Sequence, residues 1–148
     1  MKRVGFLVIV VIGALVLAAC GGSDDTSDAP ETTTGMINVV MHDIYFGESN
    51  DNATNPPVWT VTSGAEVTIN LDNQGALQHN WAIVKPGAEV PMPFDSAQHG
   101  DTLLYSTDVL EGGTTASATF TAPEAGEYLV VCTVAGHYPT MQGKLVVN

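Results

Sequence analysis

Four side chains able to grip a soft metal fall in two short segments of this 148-residue sequence. Cys132, His137 and Met141 share the segment Cys132-Thr-Val-Ala-Gly-His137-Tyr-Pro-Thr-Met141, and a further imidazole, His79, opens the run His79-Asn80-Trp81-Ala82-Ile83-Val84. Two imidazole nitrogens, a thiolate and a weak thioether form a donor set poised between the preferences of two copper valences. Cu(I) favours soft sulfur and few ligands, whereas Cu(II) favours nitrogen and a tetragonal arrangement. A stiff frame that holds the ligands between those preferences moves little when one electron is added or removed. Zinc fits the same ligands, since no donor set selects copper by affinity alone. It has no redox use, however, and structural zinc sites usually carry more thiolates.

Cysteine usage narrows the reading. The chain has two cysteines, and Cys20 belongs to a different signal. Lys2 and Arg3 precede the apolar run Val4 to Leu17, which is shorter than the ~20 residues of a spanning helix. The run ends in Leu17-Ala18-Ala19-Cys20, which resembles a bacterial lipobox. That resemblance implies a signal peptide over residues 1–19, cleavage before Cys20 and a diacylglycerol on its sulfur. The alternative is an uncleaved anchor helix. Both place the rest of the chain outside the cytoplasm, in the periplasm or at the cell surface, held to a membrane. Cys132 is then an unpaired thiol in an oxidising compartment, where a bound metal would protect it.

The elements that must position these ligands lie in residues 36–148. Residues 20–35 read as a lipidated tether, rich in Gly, Ser, Thr and Asp, with too little apolar surface to offset the entropy of ordering. Beyond it, short β-branched stretches recur: Ile37 to Met41, Val58 to Thr62, Glu66 to Leu71, His79 to Val84, Thr115 to Thr121, Gly126 to Val131 and Lys144 to Val147. Polar and apolar residues alternate in Glu66 to Leu71. Turn chemistry separates the stretches at Asn55-Pro56-Pro57, Ser63-Gly64, Asn73-Gln74-Gly75 and Gly112-Gly113. The pattern predicts an all-β domain, a Greek-key β-sandwich or barrel of about eight strands. Pro86 to Gly100, with three prolines, is expected to cover one side as a loop or short helix. Tyr128, just after a Gly-Glu turn, is placed either for a tyrosine corner or for ordinary core packing.

The formal charge of −12 excludes nucleic acid as a partner, because few basic residues are present to neutralise phosphates. No Ser-His-Asp order, carboxylate pair or phosphate-binding loop stands out, so catalysis is unsupported. His42 and His99 read as non-ligands. Met36, Met41 and Met92 lack the spacing of a methionine repeat.

The ligand loop resembles that of azurins, and especially auracyanins, in the cupredoxin (type 1 blue-copper) family. The shared residues are Cys132, Thr133, Gly136, His137, Met141 and Gly143, with His79, Asn80 and Trp81 upstream; the spacing from Cys132 to His137 to Met141 follows the azurin pattern. The resemblance spans Met36 to Asn148. It implies the cupredoxin fold and one copper ion cycling between Cu(II) and Cu(I). His79, Cys132 and His137 are its implied strong ligands and Met141 its long axial one. It also implies that Asn80 and Thr133 bridge the two ligand loops, that the other ring nitrogen of His79 meets an internal acceptor, and that His137 is the electron port. Val134 is not proline, so its N–H is free to donate to the thiolate. Gln78 stands where azurins carry a glycine, so a fifth ligand is not expected. The implied activity is one-electron transfer between redox proteins, such as c-type cytochromes or membrane electron-transfer complexes, with copper delivery or storage as the alternative. Tyr138, Pro139 and Met92-Pro93-Phe94 are expected at the rim of the port.

Overall fold

Residues 34–148, with the exception of Asp95, are described by a computed structural model; the expected signal peptide, the Cys20 lipidation site and the tether as far as residue 33 lie outside the described residues. The strands among the described residues are β1 (Thr34–His42), β2 (Tyr45–Phe46), β3 (Val58–Val61), β4 (Glu66–Asn73), β5 (Ala82–Val84), β6 (Leu103–Ser106), β7 (Thr115–Thr121), β8 (Gly126–Val131) and β9 (Gln142–Val147). One short helix, α1 (Ser96–His99), lies between β5 and β6, in the segment expected to be loop or helix.

The strands form two sheets, ordered β2-β1-β4-β7 and β3-β9-β8-β5-β6. Alternation sets which faces meet. In β4, Val67, Ile69 and Leu71 are buried while their neighbours face outward, the period of two that a half-buried strand requires. Val39 and Met41 of β1, Val130 of β8 and Leu145 of β9 complete the layer between the sheets. Trp81 is fully buried at its centre, with Trp59, Tyr105 and Phe120 around it at ring separations of 5.8, 6.4 and 5.8 Å. The Tyr128 hydroxyl donates to the Glu124 carbonyl at 2.6 Å, which makes it a tyrosine corner at the start of β8.

Three details differ from the sequence reading. Strand β1 begins at Thr34, two residues inside the stretch read as tether, because Thr34 and Gly35 lie in register with Glu66 and Val67 of β4. Strands β2 and β6 were not expected; the first has two residues and the second shows no clean apolar face. The stretch beginning at His79 joins the sheet only at Ala82. His79 makes an isolated bridge to Leu110, and the Trp81 N–H donates to the Thr107 hydroxyl at 3.1 Å. Backbone bonds from His79 to Leu110 and from Thr107 to Trp81, with that one side-chain bond, take the place of a continuous ladder, so the backbone that carries His79 and Asn80 is irregular.

Candidate metal centre

Strands β8 and β9 are antiparallel neighbours, with Val131 opposite Gln142, so the loop between them is pinned at both ends. That loop folds on itself: the Cys132 N–H donates to the Met141 carbonyl at 3.2 Å, Met141 N–H to His137 at 2.8 Å, and His137 N–H to Val134 at 3.1 Å. Gly136 takes a φ of +85° inside it, a conformation that glycine adopts without the Cβ penalty. The loop brings Cys132, His137 and Met141 together at one end of the sandwich. His79 arrives from the other ligand segment, fixed by reciprocal backbone bonds with Leu110 at 3.0 and 2.7 Å.

Among the described residues, His79, Cys132 and His137 form the one group of His, Cys or acidic side chains placed to hold a metal ion. Nδ1 of His79 and Nδ1 of His137 are 3.1 Å apart. Cys132 Sγ lies 3.9 Å from the first and 3.5 Å from the second. The point in their plane equidistant from the three atoms is about 2.0 Å from each, the length of a metal–imidazole bond and a little under the ~2.3 Å of a metal–thiolate bond. The donor atoms therefore already stand where one ion would bind all three. Met141, fully buried, belongs to the same wall through its bond to Cys132. His42 instead stacks on Tyr45 at 4.7 Å, and His99 lies beside Phe94 at 6.0 Å; neither joins the group.

The donor side chains are buried, and their electrostatics follow from that. His79 is 0% exposed and His137 8%. Burial, reinforced by the neighbouring His137, pushes the His79 imidazole down to about 4. Burial also lowers His137. Both rings are thus neutral at pH 7, the form that binds metal. Burial raises the Cys132 thiol, while the backbone N–H groups of Asn80 and Val134 donate to its sulfur and pull the other way.

Asn80 ties the two ligand segments together. Its Oδ1 accepts the Thr133 N–H at 2.7 Å, and its Nδ2 donates to the Thr133 hydroxyl at 2.8 Å and the Ser106 hydroxyl at 3.0 Å. Gln78 turns outward to Glu111. The rim also departs in part from expectation. Met92 is exposed, but Phe94 is buried, and a groove beside the ligand loop is lined by Pro93, Phe94, Val109, Val134 and Ala135. Sequence reasoning passed over Asp43 and Ser106. The first stands 3.9 Å from His79, and neither carries a local signal, because each reaches the site only through folding.

Two imidazoles and a thiol converging in a closed pocket at one end of a two-sheet sandwich define a mononuclear metalloprotein. The profile of copper-binding proteins of the plastocyanin/azurin family matches residues 41–148, and the chain belongs to that family. Its cofactor is one copper ion. Auracyanin-A of Chloroflexus aurantiacus is 37% identical over 163 aligned residues, which cover 99% of this chain and 97% of that one. The solved structure of auracyanin A from that organism, described as a blue copper protein, superposes with a TM-score of 0.59 at 32% identity, covering 78% of this chain and 99% of the other. An auracyanin B structure gives 0.64 at 27% identity, covering 80% and 91%.

Proposed function

We propose that this protein is a one-electron carrier of the type 1 blue-copper kind, working outside the cytoplasm from a lipid anchor on Cys20. The observation that carries the reading is the placement of the Nδ1 atoms of His79 and His137 and the sulfur of Cys132 around one bonding point in a buried pocket. His79, Cys132 and His137 would hold the ion as its strong ligands, with the buried Met141 thioether as a weaker fourth. Bound there, copper supplies one-electron Cu(II)/Cu(I) chemistry.

The chain's own residues do the rest. The loop bonds among Cys132, Val134, His137 and Met141, and the Asn80–Thr133 pair, hold the donors against rearrangement, which keeps the barrier to transfer small. Burial keeps water off the site. His137 lies between exposed Gly136 and half-buried Tyr138 and is the natural port. Val109 lines a groove with Val134 and Ala135 of the same loop, and Leu77, Val109 and Met92 are exposed to 44, 50 and 69%, apolar surface suited to brief docking through a small interface. Asp43 accepts the Leu77 N–H, Asp108 adjoins Val109 in sequence and Glu111 meets Gln78, which brings negative charge beside these residues. Lys85 and Lys144 are engaged elsewhere, with the Asp101 carbonyl and Glu127. A redox partner with basic residues around its own port, of the c-type cytochrome kind, fits that charge.

Optical and EPR spectra of the copper-loaded protein test the reading, together with voltammetry. An intense visible band that disappears in Cys132→Ser, and fast reversible one-electron voltammetry, are expected. A colourless copper complex, or a spectrum unchanged by Cys132→Ser, would rule out the carrier. Rapid copper loss to a chelator would favour delivery or storage instead.

A further inference from the structure

Two buried side-chain nitrogens among the described residues lack a hydrogen-bond partner: Nε1 of Trp81 and Nε2 of His79. The second is the ring nitrogen facing away from the other donor atoms, and it faces a charge. Asp43 Oδ1 stands 3.9 Å from it, too far for a hydrogen bond but near enough for an electrostatic interaction between a buried ring and a half-exposed carboxylate.

Asp43 is not a loose surface carboxylate. Its Oδ1 accepts the N–H groups of Ala76 and Leu77 at 2.8 and 3.0 Å, in the segment that leads into His79. That approach needs Gly75, where a Cβ would fall 2.8 Å from the Asp43 nitrogen and 3.0 Å from the His42 carbonyl carbon. The turn presenting Asp43 is strained as well. Ile44 sits at a φ of +69°, a region that β-branched residues rarely enter and that persists only where the surrounding structure over-determines it.

We propose that Asp43 is a positioning residue for the copper site: its fixed carboxylate keeps the His79 proton on Nε2, leaves Nδ1 free for the metal, and favours the more highly charged Cu(II) state. This rests on the reading of His79 as a ligand. A proton on Nε2 directs the ring dipole toward the carboxylate and raises the electron-donating power of Nδ1. The negative charge also stabilises Cu(II) more than Cu(I), so the reduction potential lies lower than the same site without it would give.

Asp43→Asn tests this, since the amide oxygen still accepts the two N–H groups while the charge is removed. The expected result is a blue spectrum, a raised reduction potential and Cu(II) affinity lower by about tenfold, with Cu(I) affinity little changed. Nitrogen NMR of the metal-free protein supplies a readout that needs no copper: the wild type should carry the His79 proton on Nε2, and the variant should populate the other tautomer. Equal potentials and Cu(II) affinities in the two proteins would overturn the proposal. So would a wild-type proton on Nδ1, a measurement that decides the matter even if the variant fails to fold. A wild type that is blue beside an unresponsive variant refutes the role of Asp43 alone; a wild type that is never blue refutes the carrier reading with it.

Discussion

Asn80 and Thr133 hold each other twice, the Thr133 N–H donating to Asn80 Oδ1 at 2.7 Å and Asn80 Nδ2 donating to the Thr133 hydroxyl at 2.8 Å. The two residues adjoin His79 and Cys132 in sequence, so this pair fixes the distance between the two segments that carry the candidate ligands. Both are buried, and truncation leaves a backbone donor without a partner. Asn80→Ala is therefore expected to cost about 1–3 kcal/mol of stability and to weaken copper binding by roughly 10–100-fold. Urea denaturation and competition with a copper chelator measure the two effects. Unchanged copper affinity would mean that the sandwich alone holds the segments in place.

Two backbone donors, the N–H groups of Asn80 and Val134, reach the Cys132 sulfur. Each draws electron density from a thiolate and so disfavours the oxidised ion. Val134→Pro deletes one donor and should lower the reduction potential. Every ~1 kcal/mol of lost differential stabilisation corresponds to roughly 40 mV for a one-electron couple. Voltammetry showing an unchanged or higher potential would contradict the sign.

The ligand loop was legible because its residues are consecutive and its chemistry is local: a thiol, an imidazole and a thioether between two β-branched runs read as a site before any fold is known. The strands with clean alternation, such as Glu66 to Leu71, were legible for the same reason. What escaped was long-range. Asp43 lies 36 positions before His79, and its role comes from the strained turn at Ile44 and the close approach of Gly75. Ser106 reaches Asn80 across β6, a strand whose sequence, Leu-Leu-Tyr-Ser, has no periodicity to announce it. Phe94, read as rim, lines the groove beside the ligand loop but is buried there.

Gly143, in register with Val130 of β8, shows how tightly the loop's far end is packed. A Cβ there would lie 2.5 Å from Trp59 Cζ3 and 2.9 Å from Cη2, with the Pro57 carbonyl oxygen at 3.2 Å. A large ring packed against Phe46 and Trp81 has little room to yield. Gly143→Ala is expected to destabilise the protein by about 1–3 kcal/mol through overpacking, read from the midpoint of thermal or urea unfolding. Wild-type stability in that variant would show that the Trp59 ring can swing aside.

The buried pocket makes opposite demands on its acid and its bases, and both can be measured. Burial raises the Cys132 thiol above 9.0, so the metal-free protein holds that proton at pH 7, whereas both imidazoles are already neutral. Binding copper as a thiolate must release this proton and no other, which predicts one proton freed per copper and an affinity rising about tenfold per pH unit near neutrality. Calorimetry in buffers of different ionisation enthalpy counts the proton. The imidazoles act on the fold in the other direction. His79 falls from 6.5 in the unfolded chain to about 4 in the folded one, so between those values the unfolded chain binds more protons. Its contribution to metal-free stability is complete above pH 6.5 and declines as the pH falls toward 4, by at most about 3 kcal/mol. His79→Gln should flatten that part of the stability profile. A variant profile as steep as the wild type would place the acid sensitivity in other groups.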